Sequence, residues 1–266
     1  MALSNEQLER YARHFPVPDF GREGQEKLQK ARVLVIGAGG LGSPAALYLA
    51  AAGVGTLGIA DSDEVELSNL QRQILHGTSD LGRPKVDSAA ETLRELNPHV
   101  QLVTHRLFVT EDNLPALLRD YDFVLECTDN FAAKFAVNDA CVREGKPLCH
   151  GSVIRFFGQV MTWTPGRGAC YRCVFHAPPA EGTALTAREA GVVGASAGVI
   201  GCLQAVEAIK YLLGTGELLT GCLLTCDLLD MDFQRIALRR DPDCPVCGKR
   251  AAAPRLSGAE PLTRDR

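Results

Sequence analysis

One hexapeptide, Gly37-Ala38-Gly39-Gly40-Leu41-Gly42, constrains this chain more than any other stretch. It follows a continuous β-branched run at residues 31–36 and precedes the helix-prone residues 45–52, so the order is strand, glycine turn, helix. Gly37, Gly39 and Gly42 fit the spacing G-x-G-x-x-G. Glycines at those places permit a tight turn, close approach of backbone to phosphate and close helix packing, with the phosphate at the helix N-terminus. The next apolar run, residues 56–61, ends in Asp61, which is placed to accept hydrogen bonds from ribose hydroxyls. Alone, such a turn also serves as a well-packed βα connection; its context and Asp61 favour a nucleotide.

The alternation continues downstream. Strand-like runs at 100–104, 121–127 and 147–151 are separated by helical stretches at 85–96, 111–119 and 131–144. Strands that alternate with helices imply βαβ units and a parallel sheet with right-handed crossovers. After Ser152 the rhythm changes to a strand at 156–163, a long helix at 194–213 and a closing hairpin at 218–227 and 232–238. Upstream, Ser4 and Gln7 form a capping box and residues 21–30 read as a helix. The expected fold is therefore α/β, a Rossmann-like, mostly parallel sheet with helices on both faces and antiparallel C-terminal strands. Residues 1–248 read as one domain, residues 249–266 as a disordered polar tail, and residues 177–190 as a mobile loop without periodicity.

Charge and composition exclude several functions. A net charge of −4 without a basic block argues against nucleic acid or an anionic membrane as the main partner. The uncharged run at 33–60 has seven glycines in 28 residues and splits into two short β-like pieces, so it does not span a membrane. The N-terminus carries neither the basic nor the apolar part of a secretory leader, which predicts a reducing, cytoplasmic location.

Ten cysteines are many for such a location. Cys170-Tyr171-Arg172-Cys173 and Cys244-Pro245-Val246-Cys247 are two C-x-x-C knuckles, and four thiolates at that spacing close a tetrahedral zinc site. A thioredoxin-like redox pair is the alternative. Cys127, Cys141, Cys149, Cys202, Cys222 and Cys226 sit in apolar stretches and read as small core residues. The six histidines show no ligand spacing.

Beyond Asp61, the segment around Ser68-Asn69-Leu70-Gln71-Arg72-Gln73 and Arg83-Pro84-Lys85 puts two cations, Arg72 and Lys85, where they could hold the phosphates of a triphosphate. Each alone would be an ordinary solvated cation. Glu126-Cys127-Thr128-Asp129-Asn130 lies at the carboxyl end of another strand, where Asp129 is a candidate Mg²⁺ ligand or, more blandly, the cap of the following helix.

Together the glycine turn, the 68–73 and 83–85 segments, Cys127-Thr128-Asp129-Asn130 and the two knuckles closely resemble the ThiF/MoeB/HesA family, bacterial relatives of ubiquitin-activating enzymes. The resemblance runs over residues 10–248. It implies an ATP- and Mg²⁺-dependent adenylyltransferase that activates the C-terminal Gly-Gly carboxylate of a ubiquitin-like sulfur carrier protein, for thiamine or molybdopterin biosynthesis or related sulfur transfer. By the same resemblance, Gly37, Gly39, Gly40, Gly42, Asp61, Ser68, Asn69 and Asn130 bind the nucleotide with Arg72, Lys85 and Asp129. Arg13 matches an N-terminal arginine that reaches the ATP site of the other subunit of a homodimer, and the knuckle cysteines match a structural zinc site.

In one place the chain departs from thiamine-pathway members, which carry a cysteine for covalent linkage to the carrier before the Ala-Gly-Val-Val-Gly run. Here Ala187 stands at that place. Adenylation is supported and a thiol step at this position is not, so sulfur delivery is expected to fall to a separate sulfurtransferase. A nicotinamide-dependent oxidoreductase would share the glycine turn and Asp61 but leaves Arg72, Lys85, Asp129 and the knuckles unexplained. A non-catalytic docking module for a ubiquitin-like protein leaves the phosphate site without purpose.

Overall fold

Eight strands form a single sheet in the order β3-β2-β1-β4-β5-β6-β7-β8. The computed structural model describes residues 3–180 and 187–249. The strands are β1 (Arg32–Ile36), β2 (Thr56–Asp61), β3 (Gln101–Arg106), β4 (Phe123–Glu126), β5 (Leu148–Ile154), β6 (Phe157–Trp163), β7 (Cys222–Asp227) and β8 (Asp232–Ala237). The helices among the described residues are α1 (Asn5–Arg10), α2 (Gly21–Lys30), α3 (Gly42–Ala52), α4 (Lys85–Leu96), α5 (Leu114–Leu118), α6 (Phe131–Glu144), α7 (Tyr171–Phe175), α8 (Ala187–Ala190) and α9 (Gly194–Leu213). Strands β1 to β5 are mutually parallel, and β6, β7 and β8 are added antiparallel.

Strand alternation assigns the side chains of β1 to two cores. Val33 and Val35 join a cluster with residues of α2, α3, α4 and α9, whereas Leu34 and Ile36 join one with α5 and α6. Helices therefore cover both faces, and the central strands are fully buried, as their unbroken apolar runs require. The glycine-rich stretch at 33–60 is β1, a loop, α3 and β2, not a span.

Among the described residues, α9 is the one helix long and apolar enough to cross a membrane, and it lies against α3, β4, β5 and β6. Two buried polar side chains on α9 tie it to the sheet. Gln204 donates to the carbonyls of Glu126 at 2.9 Å and Cys149 at 3.2 Å. Glu207 accepts from Thr162 Oγ1 at 2.6 Å and the Leu219 amide at 2.8 Å, and pairs with Lys210.

Several boundaries differ from the sequence reading. The helix expected over 111–119 shortens to α5, where Pro115 at its start fixes entry. The strand expected over 121–127 shortens to β4, whose parallel ladder with β1 ends on the bond from the Cys127 amide to the Ile36 carbonyl. Part of the expected loop at 177–190 is helical, as α8; residues 181–186 and the tail from 250 onward lie outside the described residues. At the sheet edge every residue of β8 is exposed.

Removal of the Glu207 carboxylate would strand the Leu219 amide and the Thr162 hydroxyl. Glu207→Ala is expected to lower unfolding free energy by about 3 kcal/mol, and Glu207→Gln by less, in urea denaturation.

Candidate functional site

The site begins with a backbone contact. Gly37 has φ +98°, and a Cβ there would stand 2.8 Å from the Cys127 carbonyl oxygen. At Gly42 a Cβ would overlap the Gly37 carbonyl. Only glycine lets the turn fold so tightly against both the end of β4 and the start of α3. Gly39 and Gly40 face the 72–73 segment: a Cβ on Gly40 would meet Arg72 Cγ at 3.4 Å, and one on Gly39 the Gln73 amide at 3.6 Å.

Asp61, at the end of β2, uses one carboxylate oxygen to hold the Ala38 amide at 2.7 Å and the other to hold the Asp63 amide at 2.8 Å. The Ala38 carbonyl is held by His76 Nε2 at 3.0 Å, while His76 Nδ1 meets Ser88 Oγ at 2.8 Å. Both backbone polar atoms of Ala38 are therefore fixed. Burial pushes the His76 pKa below its ordinary 6.5.

Lys85 opens α4 and is buried, its Nζ 2.8 Å from Oδ2 of the exposed Asp63. Arg72 is half-buried and donates to the Ser68 carbonyl at 3.0 Å. Asn69 is buried in the short 3₁₀ turn Leu67–Asn69, with its side chain accepting from the Glu66 amide at 3.3 Å; Ser68 beside it is exposed. Asp129 is exposed just past β4. It is not the helix cap: that role falls to Asn130, whose side chain accepts from the Ala133 amide at 2.8 Å.

Gly37, Asp61 and Asp129 thus lie at the carboxyl ends of β1, β2 and β4, adjacent strands between which the connection reverses direction. Open α/β sheets place their ligands at such a switch point. Arg13 is not there. Its neighbour Tyr11 is buried against Gly53 beyond the far end of α3, with its hydroxyl accepting from Asn97 at 2.8 Å. An eleven-residue helix, about 16 Å long, separates the two ends.

The sequence did not single out a buried hub beneath Asp129. Glu126 is completely buried; its Oε2 accepts from Lys134 Nζ at 2.7 Å and meets His150 Nδ1 at 3.2 Å. Burial works against the charge, but Lys134 and then His150 outweigh it and hold Glu126 at about 2. Burial lowers His150 in turn. The signal was an acidic residue ending an apolar strand eight residues before a lysine, legible only once the topology is known.

The four knuckle sulfurs lie within 4.8 Å of one another. Cys170–Cys244 is 3.7 Å, Cys170–Cys173 is 3.8 Å and Cys173–Cys247 is 3.3 Å. A tetrahedron with metal–sulfur bonds of about 2.3 Å has edges of about 3.8 Å, so the set fits a tetrathiolate metal. The Asp241 amide points at Cys173 Sγ at 3.4 Å, and the neighbouring thiols, Cys170 first, lower the Cys247 pKa. Arg172 within the first knuckle is locked by both oxygens of Asp139 at 2.8 and 2.9 Å. Of the other six cysteines, five are buried, and Cys202 on α9 is only partly so. Burial raises the Cys127, Cys141 and Cys149 thiols, which makes them poor nucleophiles.

A doubly covered α/β sheet with a glycine loop at its switch point and a tetrathiol cluster defines the class. The ThiF family model matches residues 11–246, and the chain belongs to that family. It is 48% identical over 260 residues to the "Adenylyltransferase and sulfurtransferase MOCS3" of Bos taurus, covering 97% of this chain and 57% of that protein. The chain thus spans little more than half the length of that relative. It is 46% identical to the "Sulfur carrier protein adenylyltransferase" of Thermus thermophilus, covering 93% of each. The "SAMP-activating enzyme E1" of Haloferax volcanii is also 46% identical, over 94% of this chain and 92% of its own. Among solved structures, MccB of E. coli shares the fold with a TM-score of 0.81 at 22% identity, covering 98% of this chain and 76% of its own.

Folded His76 and His150 bind protons less readily than their unfolded counterparts, which titrate near 6.5. Stability is therefore fully present above that pH and falls on acidification through their lowered folded pKa values. The melting temperature followed by calorimetry is expected to be flat above about pH 7 and to decline below about pH 6.5, with a shallower decline in His76→Asn.

Proposed function

We propose that the protein adenylates the C-terminal Gly-Gly carboxylate of a ubiquitin-like sulfur carrier protein with ATP. The observation that carries this is the convergence of the glycine loop, Asp61, Arg72, Lys85 and Asp129 on three adjacent strand ends. The names of the relatives support adenylyl transfer over the oxidoreductase and docking-module readings.

The carrier's carboxylate is ionised at neutral pH and attacks the α-phosphorus directly, so no general base is required. An acyl–phosphate bond forms, the bond between the α-phosphorus and the bridging oxygen breaks, and pyrophosphate leaves. What the protein contributes is position and charge neutralisation. In this reading the loop amides and Asp61 seat the nucleotide, with Ser68, Asn69 and Asn130 around it. Buried Lys85 is neutralised by exposed Asp63, a partner that a phosphate can displace, and Arg72 is held over Gly40 by Ser68. Asp129, an exposed carboxylate on an anchored loop, fits the hard-oxygen preference of Mg²⁺, which supplies further neutralisation of the phosphates.

The far placement of Arg13 supports a homodimer in which each subunit completes the other's site. Thiol geometry supports zinc in the cluster, in a structural role. Ala187 offers no nucleophile, so the adenylate is expected to leave for a sulfurtransferase without a thioester at this position. Thiamine, molybdopterin or related sulfur transfer are the pathways this chemistry serves, in the cytoplasm.

ATP–pyrophosphate exchange is expected only when a Gly-Gly-terminated carrier is present, with Asp129→Ala reducing it by roughly a hundredfold or more. No exchange with any such carrier would sink the assignment. Arg13→Ala and Asp129→Ala are each expected to be severely impaired alone, whereas mixing them restores part of the exchange; no recovery would exclude sharing of sites between subunits. Metal analysis should return one zinc per chain, and its removal by a chelator should lower the melting temperature without changing nucleotide affinity.

A further inference from the structure

Asp129 stands between two anchors. On one side, Glu126 Oε1 accepts from the Thr128 amide at 2.8 Å and from the Thr128 hydroxyl. On the other, Asn130 caps α6 through the Ala133 amide at 2.8 Å. Thr128 and Asn130 are half-buried, and Asp129 alone of the three is exposed. We infer that Glu126 is a positioning residue, which fixes Thr128 from beneath the sheet's end so that the neighbouring Asp129 carboxylate is presented in one place, while Lys134 and His150 hold Glu126 itself. This rests on the reading of Asp129 as the ligand of the nucleotide-bound Mg²⁺.

The hub is built for placement. Lys134 Nζ donates to Glu126 Oε2 at 2.7 Å and also to the Gly151 carbonyl at 2.7 Å, so it joins α6 to the end of β4 and the middle of β5. Gln204 of α9 holds the Glu126 carbonyl at 2.9 Å. Both carboxylate oxygens of Glu126 are engaged, and neither faces solvent. A buried ion pair offsets its desolvation poorly, and well-packed apolar side chains would stabilise such a position as well or better. What they could not supply is an acceptor for both donors of Thr128. Partners one step removed from a metal ligand orient it, and their loss costs about tenfold or more in metal affinity.

Glu126→Asp keeps the charge beside Lys134 but withdraws the carboxylate from Thr128 by one methylene. In the full-length protein, the Mg²⁺ concentration giving half-maximal ATP binding by titration calorimetry is expected to rise about tenfold. ATP affinity without Mg²⁺ should stay within about twofold, and exchange of the Thr128 amide with deuterated water should quicken about tenfold. A purely structural role would lower the melting temperature and leave the Mg²⁺ midpoint unmoved; that result overturns the inference. Glu126→Gln with Lys134→Met removes both buried charges but leaves an acceptor for Thr128, and should restore the midpoint to near that of the unsubstituted protein. If Glu126→Asp does not fold, Glu126→Leu with Lys134→Met decides, because it removes both buried charges and the acceptor as well: a tenfold rise in its midpoint beside a near-normal Glu126→Gln with Lys134→Met supports the anchoring, and an unmoved midpoint refutes it. Absence of Mg²⁺-dependent ATP binding in the unsubstituted protein would instead overturn the reading of Asp129, with the Thr128 amide still reporting whether Glu126 anchors the loop.

Discussion

No side chain can stand at Gly37, and the arrangement of the site follows from that. The backbone of the first turn lies against the carbonyl of Cys127, so the ends of β1 and β4 meet without an intervening side chain. The turn is then fastened from three directions: Asp61 and His76 hold the two polar backbone atoms of Ala38, and α3 starts so close to Gly37 that Gly42 is required as well. This is rigidity by hydrogen bond and exclusion, applied where a flexible loop would lose ordering entropy at each binding event. Placement of phosphate groups at a helix N-terminus needs that rigidity, because the partial charges of the free amides fall off within a turn.

Most of the fold was legible because its signals are local and periodic. The β-branched runs at 31–36 and 56–61 and the glycine hexapeptide specify β1, β2 and the turn between strand and helix without tertiary information. Where boundaries moved, tertiary geometry decided. Cys127 reads as a strand residue by composition, yet it stands just past β4 and its amide makes the last ladder bond to β1, at Ile36. Asp129 and Asn130 are both plausible caps by residue type, and only the backbone direction entering α6 gives the role to Asn130.

Motif spacing picks out the candidate residues and not the partners that hold them. Lys85, Arg72, Asp129 and the glycines carry a pattern in one dimension. Asp63, His76, Lys134, His150 and Gln204 do not, since each acts through a partner distant in sequence: Gln204 reaches Glu126 across 78 residues. Cys202 shows the same limit in reverse, because a helix that is apolar overall still turns one side partly outward. Arg13 had no local signal either. Only resemblance pointed to it, and the nearby Tyr11 is packed against Gly53, beyond the far end of α3.

The tetrathiol cluster has a consequence for the sheet edge. Strand β8 is exposed along its whole length, with one side bonded to β7 and the other without a neighbouring strand among the described residues. A bare edge of this kind can accept a strand from another molecule. Shortly after β8 ends, the Asp241 amide turns toward the Cys173 sulfur and the chain enters the second knuckle, so β8 is pinned at one end by its hairpin and at the other by sulfur. Disruption of the cluster would untie the second end. The four cysteines thereby tether an open edge: the chain that leaves it is held to the rest of the molecule within a few residues.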